Sequence, residues 1–307
     1  MTSPLRLHQL RALVGVVEHG GIRAAARHLH LSQAALTKSL RQLEEDAGVA
    51  LLVRSPRGVV LTEAGQRLYA RAHLVQRQLD LAQDELQQAA GDPLGQVRMA
   101  LTPFVTLQSL GEGFRWFRKR YPKVSLEVAE GLMARVLPRL RDGSLDFALV
   151  ADTGDLPAGE FQTETILQSR QHFVVRDGHP VLADPSPQAL SQLEWVLTGP
   201  RAHWHSERLN HLFEQAGHTP PTQVIICETL AGITLLRQSD VAGVVPAPLL
   251  AQPECRGMVR LQVPGFDPGS FDLVLVSRPD VPLTPAAAYL ARCMVDACRA
   301  APTAQTT

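Results

Sequence analysis

The sequence predicts an α + α/β chain: a small helical head, one long helix, and a larger body in which strands and helices alternate. Three observations carry that expectation. Apolar residues recur at helical spacing through residues 1–61, a 4-3 apolar seam runs from Leu68 to Ala89, and from residue 94 short Val/Ile/Leu runs alternate with helical stretches. The chain's 307 residues allow two or three domains, and 45% apolar with 20% charged residues is an ordinary globular composition. No run of about 18 apolar residues is present, so no transmembrane helix is expected. The N-terminal stretch lacks the apolar h-region of a secretory signal, and four cysteines do not make a disulfide scaffold. A cytoplasmic chain is therefore expected.

In the head, Leu7, Leu10, Leu13, Val14 and Val17 mark a first helix, stopped at His19-Gly20-Gly21. Ile22 to Leu29 reads as a second. After the tight connection His30-Leu31, Ser32 stands where an N-cap belongs, because its hydroxyl can accept from a backbone N–H in the next turn. A third helix follows from Gln33 to about Ala47, with Leu36, Leu40 and Leu43 facing inward and Gly48 ending it. Two helices joined by a short turn, the second polar on its outer face, form a helix-turn-helix pattern. Two short apolar stretches, 49–53 and 59–61, flank the basic turn Arg54-Ser55-Pro56-Arg57-Gly58 and make a wing.

Formal net charge is zero, but residues 1–61 hold eight Lys/Arg against four acids, a net +4 that leaves −4 for the rest. A basic head on a mildly acidic body fits a nucleic-acid module, although such an excess is also a common fluctuation. Thr62 caps a helix running to about Ala90. Its series Leu68, Ala72, Val75, Leu79, Ala82, Leu86, Ala89 is a heptad seam. Either the seam packs on its own domain or, as its place between two apparent domains favours, it pairs with a second copy.

In the body, strands are expected at 97–101, 124–129, 145–150, 195–197, 224–226, 241–245 and 273–276, with two more between Phe161 and Val175. Helices are expected at 103–120, 132–141, 205–216, 229–238 and 285–300. Continuous apolar strands alternating with helices argue for parallel sheets covered on both faces.

The stretch from Ala24 through Ser32-Gln33-Ala34-Ala35-Leu36-Thr37-Lys38 to Gly48 resembles the N-terminal signature of the LysR-type transcriptional regulators. The likeness continues through Leu51-Leu52-Val53-Arg54 and Leu61-Thr62-Glu63-Ala64-Gly65. In the body, Leu140-Arg141-Asp142-Gly143-Ser144-Leu145-Asp146-Phe147-Ala148-Leu149 is similar to a recurring family segment. Two positions depart: Ala34 stands where the family often has Pro, and Leu52-Val53 where it usually has Phe. The resemblance implies a winged helix-turn-helix at 1–61, a linker and dimerisation helix at 62–91, and an effector-binding domain at 92–307. That last domain would be two α/β subdomains resembling a type-II periplasmic binding protein, 92–162 with 268–307 and 163–267. It further implies double-stranded DNA and a small-molecule effector, anionic or aromatic, as partners, in a homodimer joined by the linker helix or a homotetramer.

Gln33, Thr37, Lys38 and Arg41 lie near one face of the third helix, whose N-terminal side chains could reach base edges in a major groove. Gln suits adenine, the Thr37 methyl suits thymine, and Lys38 and Arg41 suit phosphate or guanine. Ser32 could bond phosphate as well as cap. The resemblance places Gln33, Ala34 and Thr37 on the base-contacting surface and Arg57 in the minor groove. Arg54 is either a phosphate contact or an internal partner of Glu44 or Glu45.

An effector would sit at the carboxyl ends of the body's strands. Thr102-Pro103-Phe104 and Glu228-Thr229 each follow a strand and open a helix, which makes the Thr102 and Thr229 hydroxyls the first candidates. Gly131 and Ala151 would line the same cleft through backbone. Arg201 or His203 could neutralise an acid group and Trp204 could stack on a ring, or this loop lies on the surface with Trp204 at the domain edge.

His203-x-His205 falls short of a zinc set, since His211 is poorly spaced to join it. Cys227 is a buried filler or a thiol sensor. Neither a P-loop nor a G-x-S-x-G elbow is present, so no enzyme, metal or cofactor is expected. The alternative is a solute-binding receptor whose N-terminal helices only oligomerise it; an enzyme on the same body would need a converging acid, base and nucleophile.

Overall fold

The computed structural model describes residues 5–55, 58–89, 95–198 and 205–301. The chain divides into two compact units, residues 1–92 with the 141–144 turn, and residues 93–140 with 145–307.

The first unit opens with α1 (Leu7–Glu18), α2 (Ile22–His28) and α3 (Gln33–Ala47). Their inward faces bury Leu13, Val16, Ala25, Leu36, Leu40 and Leu43 in one core, joined by Leu51. The Ser32 hydroxyl accepts from the Ala35 N–H at 3.1 Å, which starts α3 with its outer face free for other work. Gly48 ends α3 at φ 69°, a left-handed value that a side chain disfavours. Gln9, fully buried, accepts from the Arg6 N–H at 2.9 Å and donates to Asp46 at 2.7 Å, tying α1 to α3. Asp46 is held below its ordinary pKa by the Gln9 and Gln42 hydrogen bonds.

β1 (Leu52–Ser55) and β2 (Gly58–Leu61) pair antiparallel, Leu52 opposite Leu61, and form the wing. Glu44 of α3 accepts from the backbone N–H groups of Leu51 and Leu52 at 2.8 and 3.1 Å, so the wing is anchored to the helix it flanks. α4 (Glu63–Ala89) begins where the Thr62 hydroxyl accepts from Gly65 at 3.0 Å. Its seam divides: Leu68 packs on the head core and Ala72 is buried, while Val75, Leu79 and Leu86 are 44, 41 and 73% exposed.

The second unit contains, in order, β3 (Gln96–Leu101), α5 (Pro103–Gln108), α6 (Leu110–Arg120), β4 (Ser125–Glu130), α7 (Met133–Arg141), β5 (Phe147–Asp152) and β6 (Gln162–Arg176). There follow α8 (Pro187–Ser191), β7 (Glu194–Thr198), α9 (His205–Gln215), β8 (Val224–Cys227), α10 (Thr229–Gln238), β9 (Val241–Pro246) and α11 (Ala247–Leu250). β10 (Met258–Leu261), β11 (Ser270–Ser277) and α12 (Pro285–Ala300) complete it. The strands run β4-β3-β5-β11-β6-β9-β7-β8, with β10 also on β6.

Three expectations change. The two strands sought between residues 161 and 175 are one, β6, whose first half pairs with β11 and whose second half pairs with β9 and β10. The polar run Gln168–His172 reads as a break because it lacks apolar residues; it is where the strand leaves one partner for the next. The sheets are mixed rather than parallel: β3 is parallel to β4 and β5, and β7 to β8 and β9, but β11 opposes β5 and β6, and β6 opposes β9. Apolar continuity reports burial on both faces, not direction. The helix expected over 103–120 breaks at Ser109, whose backbone takes φ −122°. Its buried side chain meets the Cys298 thiol on α12.

One core gathers Phe104, Phe117, Phe147, Leu273, Leu290 and Met294. Another gathers Phe173, Trp195, Phe213 and Phe266, with Trp195 edge-on to Phe173 and Phe213 and its ring N–H bonded to the Leu190 carbonyl at 2.9 Å. Among the described residues, no helix is long and apolar enough to cross a membrane.

Candidate functional site

The head presents one shallow open surface lined by Gln33, Ala34, Thr37, Lys38, Arg41, Gln42 and Glu45. Gln33, Ala34, Lys38 and Arg41 are exposed and Thr37 is half-buried, while Leu36, Leu40 and Leu43 on the opposite face are buried. The helical period alone produces this division: apolar residues at one spacing, polar residues at the other. The described cationic groups on this surface, Lys38 and Arg41, lie one helical turn apart. Arg57, and the side chain of Arg54, lie outside the described residues; Glu44, one of the partners considered for Arg54, is engaged with the Leu51 and Leu52 N–H groups.

The second unit holds a cleft of about 530 Å³ at the carboxyl ends of β3, β4, β5, β7 and β8. Thr102, Pro103, Phe104, Gly131, Ala151 and Thr229 all line it, although they come from four separate stretches of chain. Gly131 has to be small: a Cβ there would stand 2.6 Å from the Leu101 carbonyl carbon and the Thr102 nitrogen. Arg201, His203 and Trp204 lie outside the described residues.

The walls are largely apolar, with Leu132, Met133, Leu209, Leu212, Ile233, Leu236 and Leu249 beside Phe104. Polar groups collect where the Asp152–Asp155 turn meets α9. Arg208 donates to the carbonyls of Thr153 at 3.2 Å and Pro268 at 3.5 Å. Burial, then the neighbouring Asp152, pushes the Asp155 carboxyl above its ordinary pKa, with Arg208 opposing. His211 and Gln215 pair through their side chains at 2.9 Å. At the start of α10 the Thr229 hydroxyl donates to the Glu130 carboxylate, and Arg135 of α7 pairs with Glu228, which holds Glu228 below its ordinary pKa.

Sequence reading missed Gln171, Thr153, Asp155, Arg208, His211, Gln215 and Asp267, which also line the cleft. Arg208, His211 and Gln215 follow one helix face at i, i+3 and i+7, a legible signal. Gln171 gives none, since only the crossing of β6 brings it there. Cys227 is half-buried, and burial raises its thiol pKa, which disfavours thiolate chemistry. Among the described residues, no three His, Cys, Asp or Glu are placed to hold a metal ion.

A winged helix-turn-helix head joined to an α/β body with a ligand-sized cleft defines a one-chain regulator with separate recognition and sensing units. The chain belongs to the LysR-type transcriptional regulators: residues 7–66 match the bacterial regulatory helix-turn-helix protein, lysR family, and residues 90–299 the LysR substrate binding domain. It is 30% identical to the HTH-type transcriptional regulator GalR of Pseudomonas putida over 299 residues, covering 95% of this chain and 75% of that one. It is 26% identical to the HTH-type transcriptional regulator TdcA of Escherichia coli (strain K12) over 197 residues, covering 64% of this chain and 63%, under two thirds, of TdcA. The fold is shared with ArgP from Mycobacterium tuberculosis, at a TM-score of 0.69 and 22% identity over 97% of this chain and 98% of that one.

Proposed function

We propose that this chain is a DNA-binding transcriptional regulator switched by a small organic effector, acting by binding and not as an enzyme. The exposed polar face of α3 carries the reading. Ser32 caps the helix, Gln33, Ala34 and Thr37 face the bases of a major groove, and Lys38 and Arg41 meet phosphate or guanine. Arg54 and Arg57 of the wing add backbone and minor-groove contacts. The effector occupies the cleft lined by Thr102, Pro103, Phe104, Gly131, Ala151 and Thr229, with Arg201, His203 and Trp204 as further candidates.

The exposed seam residues Val75, Leu79 and Leu86 support a homodimer through α4, and a homotetramer built from two such dimers. Reading genomic DNA in a bacterium implies a cytoplasmic protein. Effector binding closes or reorients the two halves of the body and changes how paired heads engage their sites.

A gel-shift assay on DNA upstream of its own gene tests the reading. A shifted band that weakens steeply with salt is expected, because Lys38, Arg41 and the wing arginines release counterions. Absence of any shift across the protein titration rejects it.

A further inference from the structure

We propose that Gln171 reads the cleft's ligand and that, together with Thr102, it takes the acid oxygens of a singly charged organic acid with an apolar body. The inference rests on the cleft being the effector site.

Most buried polar side chains of this protein have protein partners. Gln9 bonds Arg6 and Asp46, the His179 ring accepts from Val181, and Thr284 caps α12. Two that line the cleft differ. Thr102 is 5% exposed and Gln171 is 6% exposed, yet among the described residues neither side chain has a hydrogen-bond partner. Their main chains are fixed: Thr102 N–H donates to Leu149 and Gln171 N–H to Gly269, each at 2.9 Å. Gln171 also sits opposite Pro246, where β6 passes between its partners. A hydroxyl and a carboxamide on residues more than nine-tenths buried, with fixed main chains and no protein partner, leave their polar atoms open to the cleft, and a ligand that matches them gains hydrogen bonds from groups already in place.

The surroundings define the ligand's class. Phe104, Ile233 and Leu236 offer apolar contact, and about 530 Å³ suits a one- or two-ring body. Thr102 and Gln171 supply O–H and N–H donors, and Arg208 brings a positive charge to the lining. Asp155 and Asp267 also face the cleft, Asp267 already paired with Arg170 at 2.7 Å. One negative charge is therefore accommodated by donors, and a second would meet these carboxylates. Carboxylate and sulfonate present the same oxygens, and the probes separate them.

The test uses the full chain, isothermal titration and thermal shift, with benzoate, benzenesulfonate, terephthalate, benzyl alcohol and benzylamine. Benzoate or benzenesulfonate is expected to bind best. Thr102→Val and Gln171→Leu should each weaken that binding about tenfold or more, the usual loss for a hydrogen bond to a charged group. Gln171→Glu should abolish it. Gln171→Leu should leave the ligand-free Tm unchanged or raise it, whereas a merely structural glutamine would lower it on removal. Monoanion affinity within twofold of wild type in both variants overturns the proposal. So does tighter binding of terephthalate, benzyl alcohol or benzylamine, or no binding of any probe at millimolar concentration. The same preparations are run in the gel shift: DNA binding retained, with some other compound altering it in wild type but not in a cleft-filling Ile233→Trp variant, means that only the ligand class is wrong. Loss of the DNA shift in wild type means that the regulatory reading itself fails.

Discussion

The recognition face and the cleft are built on opposite plans. Every described residue of the recognition face comes from one helix, within the span Ser32 to Glu45, and one buried stripe of leucines orients it. The cleft draws on residues from Thr102 to Gly269, contributed by loops after β3, β4, β5, β7 and β8, by α9, by the crossing in β6 and by the 267–269 turn. A site carried on one helix depends on that helix's seating and little else. A site assembled from many segments depends on every close approach between them.

The largest test of that contrast is Leu43→Ala. Leu43 is fully buried in the head, and its truncation should remove about 2–5 kcal/mol from the head's stability and abolish the gel shift. Ligand binding by the cleft should survive, as read by titration. Gly131→Ala is the reciprocal change. The added methyl would sit 2.6 Å from the Thr102 backbone nitrogen and force the two loops apart, at about 1–3 kcal/mol, with ligand binding lost and the DNA shift retained. If both variants lose both activities, the two sites are not separable as described.

Glu44→Ala sharpens the picture within the head. It strips the Leu51 and Leu52 N–H groups of their acceptor and should cost about 1–3 kcal/mol, followed by urea unfolding, with the wing loosened before the helices. The smallest effect concerns pH. His73 on α4 faces Glu18 of α1 through one ring nitrogen at 3.3 Å and the Asp142 carbonyl through the other at 2.8 Å, with His19 and His28 near the Glu18 carboxylate. Only the doubly protonated ring satisfies both acceptors. Its pKa is accordingly raised above the ordinary 6.5, first by the Glu18 hydrogen bond and against the opposing effect of burial. The same bond lowers Glu18 below 4.5. A raised histidine contributes stability that is complete below 6.5 and disappears as pH rises through its folded value. A lowered carboxylate contributes stability that is complete above 4.5 and disappears as pH falls through its folded value. The head should therefore be most stable between those two values and weaken on the alkaline side. His73→Gln should remove the alkaline loss in melts taken across that range.

The difference between the sites also explains how much was legible. The Ser32 cap, the leucine stripe of α3, the Gly48 stop and the start of α4 at Thr62 are local, and each follows from side-chain chemistry acting within a turn or two. Thr102 and Thr229 were legible for the same reason, since each stands where a strand hands over to a helix. Gln171 was not, because its own neighbourhood reads as polar filler. The division of the α4 seam was equally hidden: Leu68 and Leu86 belong to the same seam, yet one packs on the head and the other is 73% exposed.

By itself, then, the sequence determined the periodic elements, their caps and the polar face of α3, because helical period and capping are properties of neighbouring residues. Tertiary structure alone decided the strand directions, the single course of β6, the break at Ser109 and the presence of Gln171 and Thr102 in one cleft. Those depend on which distant segments pack together, and apolar runs state that a strand is buried without stating against what.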